Sequence, residues 1–219
     1  MKRFSWFYAA IILGVLAGCS GVSDRTLPAG SSSGSALYAP APTPTPTNFI
    51  LNGSFEKPVA PASSYLLFSK GHTFFSWTVS GAAGNVAVIG KNFSAHGFNL
   101  PAQCGKQWLD LTGTSETKTG VRQATVTVAQ TKYTLTFEVG NVYQPSGSIG
   151  TSSTALVYVN GRKIYTATNN KGRGVNHIVW ERFSTTFTAP SSKTVIQFLN
   201  GDPSSDNLNG LDCVTLTKA

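Results

Sequence analysis

Residues 133–139 read Tyr-Thr-Leu-Thr-Phe-Glu-Val, and this stretch decides the fold class. Tyr133, Leu135, Phe137 and Val139 alternate with Thr134, Thr136 and Glu138. A period of two places the apolar set on one face of a strand and the polar set on the other, so the strand is half-buried. Working outward, comparable runs occur at Phe74–Ser80, Asn85–Gly90, Gln107–Thr112, Ala124–Val128, Ala155–Val159, Ile178–Phe187, Thr194–Leu199 and Leu211–Thr217. A short run with Phe49 and Leu51, inside NFILNGSFEKP (48–58), opens the series. Turn signals separate the runs: Ser80-Gly81, Pro145-Ser146-Gly147, Ala189-Pro190-Ser191 and Asn209-Gly210. Asn160-Gly161, between Val157–Val159 and Lys163–Tyr165, predicts a two-residue hairpin. No window sustains a helical apolar stripe. About ten strands in roughly 170 residues predict an all-β fold built as one sandwich.

The N-terminal residues set the compartment. Met1-Lys2-Arg3 is followed by an almost wholly apolar Phe4 to Leu16, the layout of a secretory signal and too short for a comfortable span. Leu16-Ala17-Gly18-Cys19 resembles a bacterial lipoprotein signal, which implies cleavage after residue 18 and lipidation of Cys19. An ordinary signal peptide with an incidental cysteine is the alternative. Ser20, where an Asp would imply inner-membrane retention, points to the outer membrane or cell surface. Residues 19–47 form a tether, with flexible Gly30–Gly34 and an extended Pro/Thr run over 40–47. Residues 48–219 are left as the β-sandwich domain. Gly30-Ser31-Ser32-Ser33-Gly34 matches the G-x-S-x-G string of serine hydrolases, but lacks the flanking strand and helix that motif needs.

Removing residues 1–18 leaves 15 basic and 9 acidic residues. That excess favours an acidic polysaccharide, lipid headgroups or nucleic acid without choosing among them. Nucleic acid is the least suited, because no RNA- or DNA-binding motif is present and the chain carries an export signal. Beyond Cys19 the cysteines are Cys104 and Cys213. An even remainder in an oxidising compartment suggests one disulfide, with two buried thiols as the alternative.

Asp212 shares strand parity with Val214 and Leu216, which points it at the core side, where a carboxylate needs a partner. Glu56 follows the first short run, and first and last strands often pair. The two acids are therefore expected to meet, either around a Ca²⁺ held by hard oxygen ligands or as hydrogen-bond acceptors. For a ligand, Trp108 runs in phase with Asp110 and away from Leu109 and Leu111, which predicts an exposed face. Tyr143 lies in a Gly/Pro/Ser-rich loop (NVYQPSGSIG) suited to a ligand platform. Trp180 and Arg182 share parity, but Glu181 breaks the alternation and leaves their side open; Trp77 reads as core. Arg162, Lys163, Lys171, Arg173 and Arg182 would attract a uronate-rich or sulfated polymer if they faced one way. Catalytic supply is thin. His72, His96 and His177 lack metal-ligand spacing, and Asp110, Glu116, Glu138, Glu181, Asp202 and Asp206 cannot be paired across a cleft from sequence.

The order of NFILNGSFEKP (48–58), FFSWTVSG (74–81), GNVAVIG (84–90), GKQWLDLTG (105–113), YTLTFEVGN (133–141), WERFSTTFTAP (180–190) and LDCVTLT (211–217) resembles the DUF642 family. It also resembles bacterial galactose-binding-like domains of surface-anchored proteins. The resemblance implies a jelly-roll β-sandwich without catalytic activity that binds carbohydrate. It also implies a structural calcium near Glu56 and Asp212. Trp108, where a smaller residue is expected, and the loop GFNLPAQCG (97–105) depart from that pattern. The reading is a lipid-anchored, non-catalytic polysaccharide-binding protein. The alternatives are an adhesion protein with an envelope protein as partner, or a glycan hydrolase.

Overall fold

The computed structural model describes residues 47–204, 206 and 208–219. The expected signal peptide, Cys19 and nearly all of the expected tether lie outside the described residues. Residues 133–139 sit inside β9 (Lys132–Asn141), with Tyr133, Leu135, Phe137 and Val139 fully buried. Among the described residues there is no helix, and fourteen strands, numbered in chain order, form two six-stranded antiparallel sheets and one small hairpin. Sheet A runs β1 (Tyr65–Ser69), β4 (Asn85–Ile89), β7 (Trp108–Asp110), β14 (Gly210–Lys218), β9, β12 (Val179–Thr188). Sheet B runs β11 (Arg162–Asn169), β10 (Ser153–Val159), β13 (Lys193–Asn200), β8 (Thr119–Val126), β3 (Trp77–Gly81), β2 (Thr73–Phe74). The hairpin is β5 (Ser94–Ala95) with β6 (Phe98–Asn99). The expected all-β sandwich is the observed one, with more strands than the ten anticipated.

The inner faces interlock as alternation requires. Leu109, Val139, Phe137 and Leu211 of sheet A share one core with Trp77, Val121, Ile196 and Phe198 of sheet B. The Phe137 ring meets the Phe198 ring edge-on at 5.0 Å, a geometry that aromatic quadrupoles favour. Asn160 and Gly161 both have positive φ, as a two-residue primed turn demands. Strand Phe74–Ser80 is broken instead: Phe75 adopts φ 50° and turns out, 57% exposed, so it does not share the core phase of Trp77.

The NFILNGSFEKP segment is not a strand, and Ile50 rather than Leu51 is buried. It nevertheless lies along β14, because Phe49 N–H donates to Leu216 O (2.8 Å) and Val214 N–H to Gly53 O (2.9 Å). A β-carbon on Gly53 would sit 2.0 Å from Val214 O, so only glycine permits this approach. Beyond it Phe55 enters the core against Trp77 at 5.5 Å, while Trp77 Nε1 donates to Asn52 O. The two ends of the domain lie side by side, which is why the chain opens with Asn-Gly-Ser-Phe.

Candidate functional site

Asp212 and Glu56 come together as expected, although Asp212 reaches that place by an unexpected route. Cys213 has φ 53°, and the β14–β9 register shifts between Asp212 and Thr215. This bulge inserts a residue and reverses the side-chain parity. Asp212 therefore lies opposite Glu138 on the outer face of sheet A, while Val214 and Leu216 face the core. The inward direction expected for Asp212 is corrected accordingly. Cys104 and Cys213 form the expected disulfide, with Cα atoms 5.5 Å apart.

The loop joined by that disulfide presents backbone N–H groups to both acids. Gln103 and Cys104 donate to Asp212 Oδ2 (2.9 and 2.8 Å), and Cys213 N–H donates to Oδ1 (2.7 Å). Lys106 and Gln107 donate to Glu56 Oε1 (2.8 and 2.9 Å). Burial pushes Asp212 up to about 7 against those hydrogen bonds, with the neighbouring Glu56 charge adding to the rise. Backbone N–H donors thus take Asp212 Oδ1 and Oδ2 and Glu56 Oε1, the contacts of the expected hydrogen-bond-acceptor alternative. The arrangement is a hydrogen-bonded clasp. Asp212→Asn turns an N–H₂ toward those donors and is expected to destabilise the domain by about 1–3 kcal/mol, read by denaturant unfolding.

A different place on sheet A forms a cavity. Ala87, Ile89, Trp108, Ile178 and Leu208 make a second apolar cluster outside the main core. Trp108 does face away from Leu109, but the loop over 91–101 covers it, leaving the ring 1% exposed. The expectation of an exposed Trp108 is corrected. Its Nε1 donates to Leu100 O, and Trp180 Nε1 donates to Pro101 O, each at 3.0 Å. The two indoles meet edge-on at 5.7 Å and bracket the loop onto the sheet. The half-buried Trp180 ring lies against Gly140 and Gly210, where a β-carbon would come within 2.9 Å of it. Trp108 lines a cavity of about 280 Å³, and Trp180, outside that lining, braces the Trp108 ring.

Tyr65 and Phe93, edge to face at 5.7 Å, form the cavity's outer aromatic wall, and His96, Thr114 and Glu116 add polar groups. Asp110 lines its buried side. Burial raises Asp110 to about 6, opposed by the Thr112 hydroxyl (2.7 Å) and by the N–H groups of Asn209 and Thr112. Two further buried acids adjoin it. Asp202 rises to about 8 through burial and the charges of Asp206 and Asp110, and Asp206 rises to about 7 through burial and Asp110. Sequence reading missed Tyr65 and this convergence of acids, which are separated by up to about a hundred positions along the chain.

The remaining candidates do not share a site. Tyr143 is half-buried with the Arg173 guanidinium 5.3 Å over its ring, which occupies one face of the expected platform. Arg182 is exposed on β12 opposite Glu138. Glu181, the residue that breaks the alternation, pairs with Lys171 Nζ at 2.7 Å. Arg162 and Lys163 lie on sheet B, so the five basic residues do not make one face.

The DUF642 model, described as a protein of unknown function, matches residues 48–214. The chain belongs to the DUF642 family. No curated protein matches it in sequence. Among solved structures, a cyclase from Fischerella sp. TAU is 16% identical, with a TM-score of 0.54 over 80% of this chain and 98% of its own. At that identity the likeness is one of fold. The CBM22-1 xylan-binding domain from Paenibacillus barcinonensis Xyn10C is 18% identical, with a TM-score of 0.43 over 73% and 97% of the two chains. A CBM35 from the same organism is 12% identical, with a TM-score of 0.41 over 70% and 99%.

Proposed function

We propose that this DUF642 domain binds a carbohydrate at the sheet A cavity and performs no reaction on it, held at the outer membrane or cell surface by a lipidated Cys19. The observation that supports the site is the combination of apolar aromatic wall and few polar groups in one concavity. Pyranose rings present C–H faces to aromatics and hydroxyls to carboxylates and amides, so such a lining matches their mixed chemistry. At about 280 Å³ the cavity is near the lower end of ligand pockets, roughly 300–1,000 Å³, which suits one sugar unit or a chain end. Hydrogen bonds from Thr112 and Asn209 hold Asp110 Oδ1 in place at the cavity's edge.

A glycan array probed with the full chain in detergent tests this reading. Binding to a neutral glycan is expected, and Tyr65→Ala is expected to weaken it at least tenfold. The domain stays folded in that variant with a melting temperature lowered by a few degrees, since Tyr65 lies at the sheet edge and its main partner is the Phe93 ring. A blank array, or release of reducing sugar from a bound glycan, would overturn it. The anchor is tested separately: Cys19→Ala is expected to shift the protein from the membrane to the soluble fraction and abolish labelling by a fatty acid.

A further inference from the structure

Sheet B has an outer face that the cavity does not use. Its six strands contain no acidic residue, yet they carry Arg122, Arg162, Lys163 and Lys193. Sheet A, by contrast, carries Asp110, Glu138, Glu181 and Asp212 in its strands. Sheet A also carries Lys132, Arg182 and Lys218, so its strand charges are mixed, whereas the strand charges of sheet B are all positive.

Register turns that composition into a pattern. Thr78 lies opposite Arg122, Arg122 opposite Gln197, Gln197 opposite Tyr158, and Tyr158 opposite Lys163. Their neighbours Val79, Val121, Phe198 and Val157 are core residues, so this row points outward. It crosses five strands, and four spacings of about 4.8 Å make it roughly 19 Å long. Beside the row, Arg122 and Lys193 border a shallow depression of about 450 Å³ floored by Thr78, Ala124 and Val195. Both cations are exposed, and neither has a carboxylate within ion-pair distance among the described residues.

We propose that this face binds a linear, carboxylate-bearing polysaccharide at a site separate from the sheet A cavity. A uronate chain repeats its negative charge along its length, which matches Arg122 and Lys163 in the row with Lys193 beside it. The Arg122 guanidinium can take a carboxylate through two parallel N–H bonds, while Lys193 and Lys163 act as point charges. Half-exposed Tyr158 offers a ring to the sugar's C–H face between them. An anionic membrane would also be drawn to positive charge, but it does not call for a depression or an in-register aromatic.

Affinity electrophoresis of the full chain in detergent, with polygalacturonate in the gel, tests the proposal. Retardation is expected, together with at least a tenfold loss of affinity in Arg122→Ala/Lys193→Ala and weakening as salt is raised. Thermal melts of the variant establish that it folds. Tyr65→Ala is expected to bind polygalacturonate as the unchanged protein does, so failure at the cavity and failure at this face are read separately. Absence of retardation, affinity of the double variant within about twofold of the unchanged protein, or binding to anionic phospholipid vesicles in place of polygalacturonate would overturn it.

Discussion

Raising the pH from 5.5 to 8.5 is expected to lower the melting temperature of this protein by at least about 5 °C. The cause is the acid cluster beside the cavity. Asp110, Asp206 and Asp202 are raised to about 6, 7 and 8, and in each case burial is the largest cause. A carboxyl with a raised folded-state value keeps its proton in the native protein while the unfolded chain, near 3.8, has lost it. The native state then binds more protons, so stability falls as pH rises through this window. Below about 4 both states are protonated, and above about 8 both are ionised, so the curve flattens at either end. One retained proton changes stability by about 1.4 kcal/mol per pH unit. For a chain of this size each kcal/mol moves the midpoint by about 2–4 °C. A single such group acting over two units therefore suffices. Three act here, and Asp212 at the clasp, raised to about 7 with burial as the largest cause, adds to the same fall. No basic side chain forms an ion pair with any of them among the described residues. Asp202→Asn removes one of these groups and should raise the melting temperature at pH 8.5 while changing it little at pH 5. Differential scanning calorimetry across the range checks both statements. A midpoint that rises with pH would show that these carboxyls are ionised and compensated in the native state.

The limits of sequence reading follow from what periodicity can and cannot encode. Alternation identified Tyr133–Val139 and most long strands because their neighbours sit in the shared core, where parity is enforced by burial. Asn160-Gly161 was readable because positive φ at both positions restricts the residues that fit. Strand β1 was missed because Tyr-Leu-Leu-Phe-Ser does not alternate and lies at a sheet edge. Trp108 was assigned to the correct face but not to the correct environment, since parity says which way a side chain points and nothing about which loop covers it. Asp212 was turned the wrong way by one bulged residue, Cys213, which shifts every alternation count across it. The cavity's polar side was invisible for a related reason: Asp110, Asp202 and Asp206 become neighbours only through tertiary closure.

The second large effect is expected at the clasp joining the domain's ends. Cys104 and Cys213 are 109 positions apart, so their bond closes about half of the unfolded chain into a loop. For a loop near 100 residues the chain-entropy model gives about 4.7 kcal/mol, a melting-point loss of roughly 9–19 °C for a domain of this size. The bond also holds the segment whose Gln103, Cys104, Lys106 and Gln107 N–H groups serve Asp212 and Glu56. Cutting it frees that segment, so the loss of loop constraint and the loss of carboxylate hydrogen bonds are coupled. Asp212→Asn should therefore matter less in a Cys104→Ser/Cys213→Ser background than in the disulfide-bonded protein, and a double-mutant cycle measures the difference. Gln107 adds a separate tie: its Nε2 donates to Phe55 O and Pro58 O, and its Oε1 accepts from Ala60 N–H. That tie keeps the opening segment docked without the disulfide, so the reduced protein is expected to stay folded at a lower midpoint. Full reduction, verified by two titratable thiols, with no fall in the midpoint would show that the bond adds nothing to the hydrogen-bonded contacts around it.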